Sequence, residues 1–306
     1  MKSKISLLLA GAALMSSGQL HSELVGSDIR LTNGYRRDKF TSSVIKVNGD
    51  RDFLSRDSLS IKDVNIYQIG GKANFYSMGF AVRAEYDYGW VHNGRYAENT
   101  VSVDACDLVC RGSVKKGKVR DINIGGTYFF IDAPDFFSGN LYIGPAGGYS
   151  RSQQNLTIGN VITNGEFDNV LTGLSYSNRW QGPWAGVDGL FQIANVTVRA
   201  CYEYHWAHWK AQWTLRGGDA REGFSDKRHS KHAHGNVAFV DAFCNLSEFL
   251  VVGVGIKWQR WSQRKGQEKA VDPELAEFFE ENDQTFKARH ASWDSLAGTI
   301  EIGYRF

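Results

Sequence analysis

Three charged side chains alternate along one short run, Arg83, Glu85 and Asp87, just ahead of Gly89 and Trp90. Far along the chain, Glu203 stands two residues before His205. Both sets hold charged or titratable groups two residues apart. A spacing of two places each set on one face of a β-strand, where the same charges could line a polar channel. Arg30, Asp121, Asp188, Arg199, Lys257, Glu301 and Arg305 fall on the same kind of alternating face. Five histidines cluster at His205, His208, His229, His232 and His234, but Lys227, Arg228 and Lys231 are interleaved with them. A metal site needs three or four converging ligands, and that basic surrounding repels a cation, so neither a metal nor a cofactor is expected. Cys106 and Cys110 could close a small loop disulfide, and Cys201 with Cys244 is a weaker pairing. No Ser-His-Asp layout at a recognisable spacing and no phosphate-cradling glycine loop is present.

The elements that must carry these charges are strands. In the final stretch, Leu296, Ile300, Ile302, Tyr304 and Phe306 share one parity, and Ser295, Thr299, Glu301, Gly303 and Arg305 the other. Tyr76, Met78, Phe80, Val82, Ala84, Tyr86, Tyr88 and Trp90 repeat the pattern opposite Arg83, Glu85 and Asp87. Strict alternation of this length excludes a helix. Ten such segments can be traced, starting near residues 27, 61, 76, 119, 140, 179, 196, 235, 249 and 292. Short connections alternate with long polar ones, at residues 36–60, 91–118, 153–178, 217–234 and 262–291. One apolar face, one polar face and alternating turn lengths are the signature of an all-β, transmembrane, antiparallel up-and-down barrel. We expect about ten strands (eight to twelve), with long extracellular loops and short periplasmic turns. Residues 272–281 read as a short helix capped by Asp272 and Pro273. Trp180, Trp184, Trp206, Trp209, Trp213, Trp258, Trp261 and Trp293 are expected mostly in an interface belt.

The amino terminus fits an exported protein. Lys2 and Lys4 precede an apolar run from Ile5 to Met15 and then small polar residues, the layout of a secretory signal peptide over residues 1–22. Residues 23–306 then form the barrel. Losing Lys2 and Lys4 leaves 33 basic residues against 33 acidic ones, which gives no support to a nucleic-acid partner. The mean hydropathy of −0.36 does not argue against a membrane, because only alternate residues of a barrel strand meet lipid. The 33 glycines, 4 prolines and 13% aromatic content suit the same reading. The expected location is the outer membrane of a Gram-negative cell. The expected partners are outer-membrane lipid and lipopolysaccharide, the barrel-assembly machinery, and small solutes or ions. Ile300, Ile302, Tyr304 and Phe306 resemble the terminal signal read by that machinery.

Several runs carry a resemblance to a known family. Residues 148–156 (GYSRSQQNL), 179–188 (RWQGPWAGVD), 202–207 (YEYHWA) and 213–216 (WTLR), with 34–38 (GYRRD) and 86–90 (YDYGW), resemble the Protochlamydia outer membrane protein family. The resemblance covers most of the chain after residue 22 and implies an outer-membrane barrel, with porin activity in some members. The ten-strand layout also resembles omptins, outer-membrane aspartyl-type proteases, whose site pairs an Asp-x-Asp-Trp run with an Asp-x-His run. Asp87 and Trp90 fit the first run, but Gly89 replaces the second carboxylate. Glu203 and His205 keep an acid and a histidine deep in a strand rather than near a loop. The expectation is therefore a non-enzymatic barrel, either a narrow porin-like channel or a structural surface protein, with an omptin-like protease of degenerate site as the alternative.

Overall fold

The computed structural model describes residues 26–48, 52–102, 108–163, 174–215, 225–264, 266–270 and 284–306. The proposed signal peptide, the helix expected at 272–281 and Cys106 lie outside these residues. Twelve strands form one antiparallel sheet: β1 (Gly26–Asn48), β2 (Asp52–Ser77), β3 (Phe80–Ser102), β4 (Leu108–Tyr128), β5 (Ile131–Phe136), β6 (Gly139–Thr163), β7 (Leu174–Ile193), β8 (Val196–Leu215), β9 (Ser225–Asn245), β10 (Leu250–Gln263), β11 (Gly266–Ala270) and β12 (Gln284–Arg305). All but β5 and β11 are long, and the ten long strands follow one another around a closed barrel. Closure comes from β12 pairing β1, from Asp28 opposite Arg305 up to Asn48 opposite Gln284. A closed ladder leaves no unpaired backbone facing hydrocarbon, which is why a barrel can cross a bilayer.

The alternation in the sequence sets the facing. Ile300, Ile302, Tyr304 and Phe306 point outward and are more than half exposed, as are Phe80 and Val82, while Arg83 and Glu301 are buried inside. The tight β2–β3 turn uses positive φ at both Met78 (48°) and Gly79 (80°), the combination that matches strand twist in a two-residue hairpin.

The strands are much longer than the sequence suggested. The segments expected as long polar loops at 36–60, 91–118 and 153–178 are mostly strand among the described residues. β12 has 22 residues, roughly 70 Å along its axis. At the ~40° tilt of such barrels this gives a height of roughly 55 Å, about twice the ~25 Å apolar band of an outer-membrane barrel. The upper half therefore stands clear of the bilayer, and its facing is reversed. Outward residues there are polar, such as Arg37, Lys62, Arg95 and Lys118, and inward ones are apolar, such as Phe40, Ile61, Val114, Leu156 and Ile158. Bulges between Lys62 and Asn65 on β2 and between Ser230 and Ala233 on β9 shift the parity of those strands on the way up. An apolar-out pattern searched for along the whole strand ends at this level, and the strand looks as though it stops.

The tryptophans correct another expectation. Trp90, Trp206 and Trp258 face outward, but Trp180, Trp184, Trp209, Trp213, Trp261 and Trp293 are buried inside the barrel. Their parity relative to the inward charges, rather than their height, decides the face. His229, His232 and His234, expected on a basic loop, sit on β9. Cys201 and Cys244 are both free, so that pairing does not form. Cys110 is buried in the upper core.

Candidate functional site

The lower lumen is filled by an ion-pair network supplied by all the long strands except β6. Arg30 on β1 donates from Nε to Asp28 at 2.8 Å and from Nη1 to Glu301 at 2.7 Å. Lys72 on β2 bridges Asp241 (2.8 Å) and Glu301 (2.6 Å). One layer up, Arg199 grips Asp188 through Nε (3.0 Å) and Nη2 (2.5 Å), and its Nη1 donates to Asn74 at 2.6 Å. Arg83 meets Glu203, and its guanidinium lies between the rings of Trp184 and Phe239, 4.8 Å from each. Lys257 meets Glu85 at 2.9 Å and stands 3.8 Å from Asp87. At the top, Arg36 donates to Asp38 (2.7 Å) and Asp121 (2.5 Å) and lies over Trp293. These cations all have a carboxylate partner, as buried charges require.

Arg83, Asp87, Asp121, Asp188, Arg199, Glu203 and Glu301 are buried in this network, Glu85 and Lys257 are partly buried members of it, and Arg305 is half-buried where β12 ends. The sequence reading missed Arg36, Asp38, Lys72 and Asp241. Arg36 and Asp38 continue the parity of Arg30 but lie past the point where the first strand was ended. Lys72 and Asp241 belong to strands with mixed alternation.

Apart from Trp90, both halves of the omptin-like pattern are taken up in the packing of the lumen. Asp87 accepts from Thr32 at 3.4 Å within the network, Gly89 packs against Ile66, and Trp90 stands outside against Tyr88. His205 Nε2 is 2.8 Å from Glu203, and its Nδ1 is 2.8 Å from Ser150 Oγ. This Ser150–His205–Glu203 chain joins two strands, β6 and β8, and the part played by Ser150 has no signature in sequence spacing. All three residues are buried, and the Trp261 ring covers His205 at 4.8 Å.

Above the charges the lumen closes. Trp180, Trp209, Trp261 and Trp293 are at most 1% exposed, and the Trp180 ring lies 5.8 Å from that of Trp209 and 6.0 Å from that of Trp261. Trp209 donates to Asn178 at 2.7 Å and Trp261 to Gln259 at 3.2 Å, which ties the plug to the wall. Phe40, Tyr176, Trp213 and Tyr96 continue the packing upward. Below the plug, a cavity of about 30 Å³ lies among Arg30, Lys72, Arg83, Glu85, Asp87 and Lys257, room for about two waters. Among the described residues no three His, Cys, Asp or Glu side chains are grouped to hold a metal. In the upper half, burial raises the carboxyl of Glu98 above the ordinary carboxylate range, while the hydrogen bond from Tyr96 pulls it the other way.

Comparison with known proteins agrees with this architecture. The outer membrane protease OmpT from Escherichia coli superposes with a TM-score of 0.65 at 14% identity, over 95% of this chain and 99% of that one, which is a likeness of fold. OprG from Pseudomonas aeruginosa (TM-score 0.33, 9% identity, 94% and 99% covered) and Ail of Yersinia pestis (0.28, 11%, 92% and 99%) are more remote. No curated protein matches the sequence. Residues 30–306 match the Protochlamydia outer membrane protein family. With that match over nearly the whole chain, the protein belongs to the Protochlamydia outer membrane protein family and is an outer-membrane β-barrel.

Proposed function

We propose that the protein is a closed surface barrel, a structural component of the outer membrane that neither conducts solutes nor catalyses a reaction. The observation that carries this reading is the plug of Trp180, Trp209, Trp261 and Trp293 across the lumen. Barrels of about eight strands are filled by side chains, while those of sixteen leave an aqueous channel. Ten strands with a paired network and an aromatic plug fall on the filled side. Passage of small solutes or ions, the alternative, needs both layers to move aside. The absence of proteolysis is supported by Gly89 in place of a second carboxylate and by the burial of Glu203 and His205. Export by a signal peptide at residues 1–22, assembly through the terminal Ile300–Phe306 pattern, and contact with lipopolysaccharide complete the reading.

The test uses purified protein in vesicles. Swelling in small sugars should match that of empty vesicles; faster swelling rejects the closed barrel. Peptide cleavage should be absent in both the wild type and Asp87→Ala. Cleavage by the wild type that Asp87→Ala abolishes restores the protease reading.

A further inference from the structure

The outer wall formed by β4, β6, β7 and β8 carries cations but no outward carboxylate of its own among the described residues. The acidic residues of these four strands are Asp121, Asp188 and Glu203, all of which point into the lumen and are buried. Their outward faces carry Arg120, Arg151, Arg179 and Lys210. Strand register places Arg120 opposite Gln153, Gln153 opposite Arg179, and Arg179 opposite Lys210, so these residues form one row around the wall. With ~4.8 Å between strands, the row from Arg120 to Lys210 spans roughly 14 Å. No carboxylate among the described residues pairs with any of the three cations in it. On the opposite wall some outward cations are paired, Arg37 and Arg95 sharing Asp63 and Arg260 facing Asp294, while others such as Lys39 and Lys62 are not.

The height of the row matters as much as its charge. Arg120 stacks over Tyr88, a member of the aromatic belt, at 5.5 Å. Four residues below it on β4 is lipid-facing Ile124, and four below Lys210 on β8 is Trp206. The row therefore stands at the headgroup level of the outer leaflet. Beside it, Arg179, Lys210, His229 and Gln153 border a surface depression of about 570 Å³.

We infer that this row binds the phosphates of a phosphorylated glycolipid of the outer leaflet, and that the depression beside Lys210 receives part of its sugar headgroup. Uncompensated guanidinium and ammonium groups at a membrane surface attract anionic headgroups, and Arg forks fit phosphate oxygens with two parallel hydrogen bonds. The inference rests on the outer-membrane location and is independent of whether the lumen is open.

The experiment incubates the detergent-solubilised, full barrel with bis-phosphorylated lipid A, its mono-phosphorylated form or phosphatidylcholine, and counts bound lipid by native mass spectrometry. Wild type should bind the first most tightly and the last least. Arg120→Ala/Arg179→Ala/Lys210→Ala should lose roughly 100-fold in affinity for lipid A, from three cations removed. A control with as many changes in the paired Asp63 cluster of the opposite wall, Arg37→Ala/Asp63→Ala/Arg95→Ala, should bind like wild type. Heat-modifiable gel mobility verifies that each variant is folded. Equal lipid A binding by wild type and the row variant overturns the assignment, as does binding that ignores the number of phosphates. Displacement of the lipid by inorganic phosphate at matched phosphate concentration overturns the lipid as the ligand in favour of free phosphate.

Discussion

Replacing Arg199 by Met should be among the most damaging single changes in the lower lumen. The guanidinium is 2% exposed and holds Asp188 through two bonds, of 3.0 and 2.5 Å, while its third nitrogen satisfies Asn74. Met fills much of the stem volume but leaves Asp188, which is fully buried, with only the hydrogen bond from Thr127 at 2.7 Å. Removing one partner of a buried pair costs ~3–5 kcal/mol, because the other charge stays uncompensated. Asp188→Leu alone should cost a similar amount by stranding Arg199. The double variant Asp188→Leu/Arg199→Met carries no buried charge at this point. Its remaining cost is the loss of partners for Thr127 and Asn74, ~1–3 kcal/mol. The double variant should therefore be more stable than either single one, with a coupling of ~3 kcal/mol or more. Reversible urea unfolding from lipid vesicles, followed by tryptophan fluorescence, measures all four corners of the cycle. A double variant whose loss equals the sum of the single losses refutes the pairing and, with it, the network as the organiser of the lumen.

Other perturbations test other parts of the account. Ile300→Lys places a charge on the lipid face and should cost ~2–4 kcal/mol near the midplane, while Thr299→Lys, facing the lumen, should accumulate better in outer membranes; equal accumulation contradicts the facing. Gly144→Ala puts a Cβ into the carbonyl of Tyr128 on the neighbouring strand and should cost ~1–3 kcal/mol, seen as a lower urea midpoint. Glu98 binds its proton more tightly in the folded protein than in the unfolded chain, chiefly because burial penalises its charge. Stability should then fall as pH rises from the unfolded carboxylate value of ~4.3 through the raised folded value. Glu98→Gln should flatten that part of a stability–pH profile, and an unchanged slope removes Glu98 as its source.

The lower half of the barrel was legible from residues 76–90 and 295–306 because lipid outside and charge inside enforce a strict period of two. The ten-strand count and the turn asymmetry followed from that period. The upper half was not legible because it solves a different problem: water lies outside, and apolar side chains must fill the inside. Its inward residues, such as Ile158 and Trp209, continue the inward parity of Ser150 and Glu203 below, so the sign of the pattern inverts while the strand runs on. Bulges at Asp63 on β2 and between Ser230 and Ala233 on β9 add a parity shift. The same inversion explains the tryptophans, which looked like a belt by height and proved to be a plug by face. The charges of the lumen could be picked out one by one from alternation, but their partners could not. Which cation meets which carboxylate depends on strand stagger around the barrel, as when Lys72 on β2 reaches Asp241 on β9.

The central claim is that aromatic packing closes the lumen, and single-channel recording in a planar bilayer tests it most directly. Wild type should insert without current steps, and Trp180→Ala/Trp209→Ala/Trp261→Ala, folded by its gel mobility, should show them. Unitary steps from the wild type that persist unchanged in the triple variant would contradict the account.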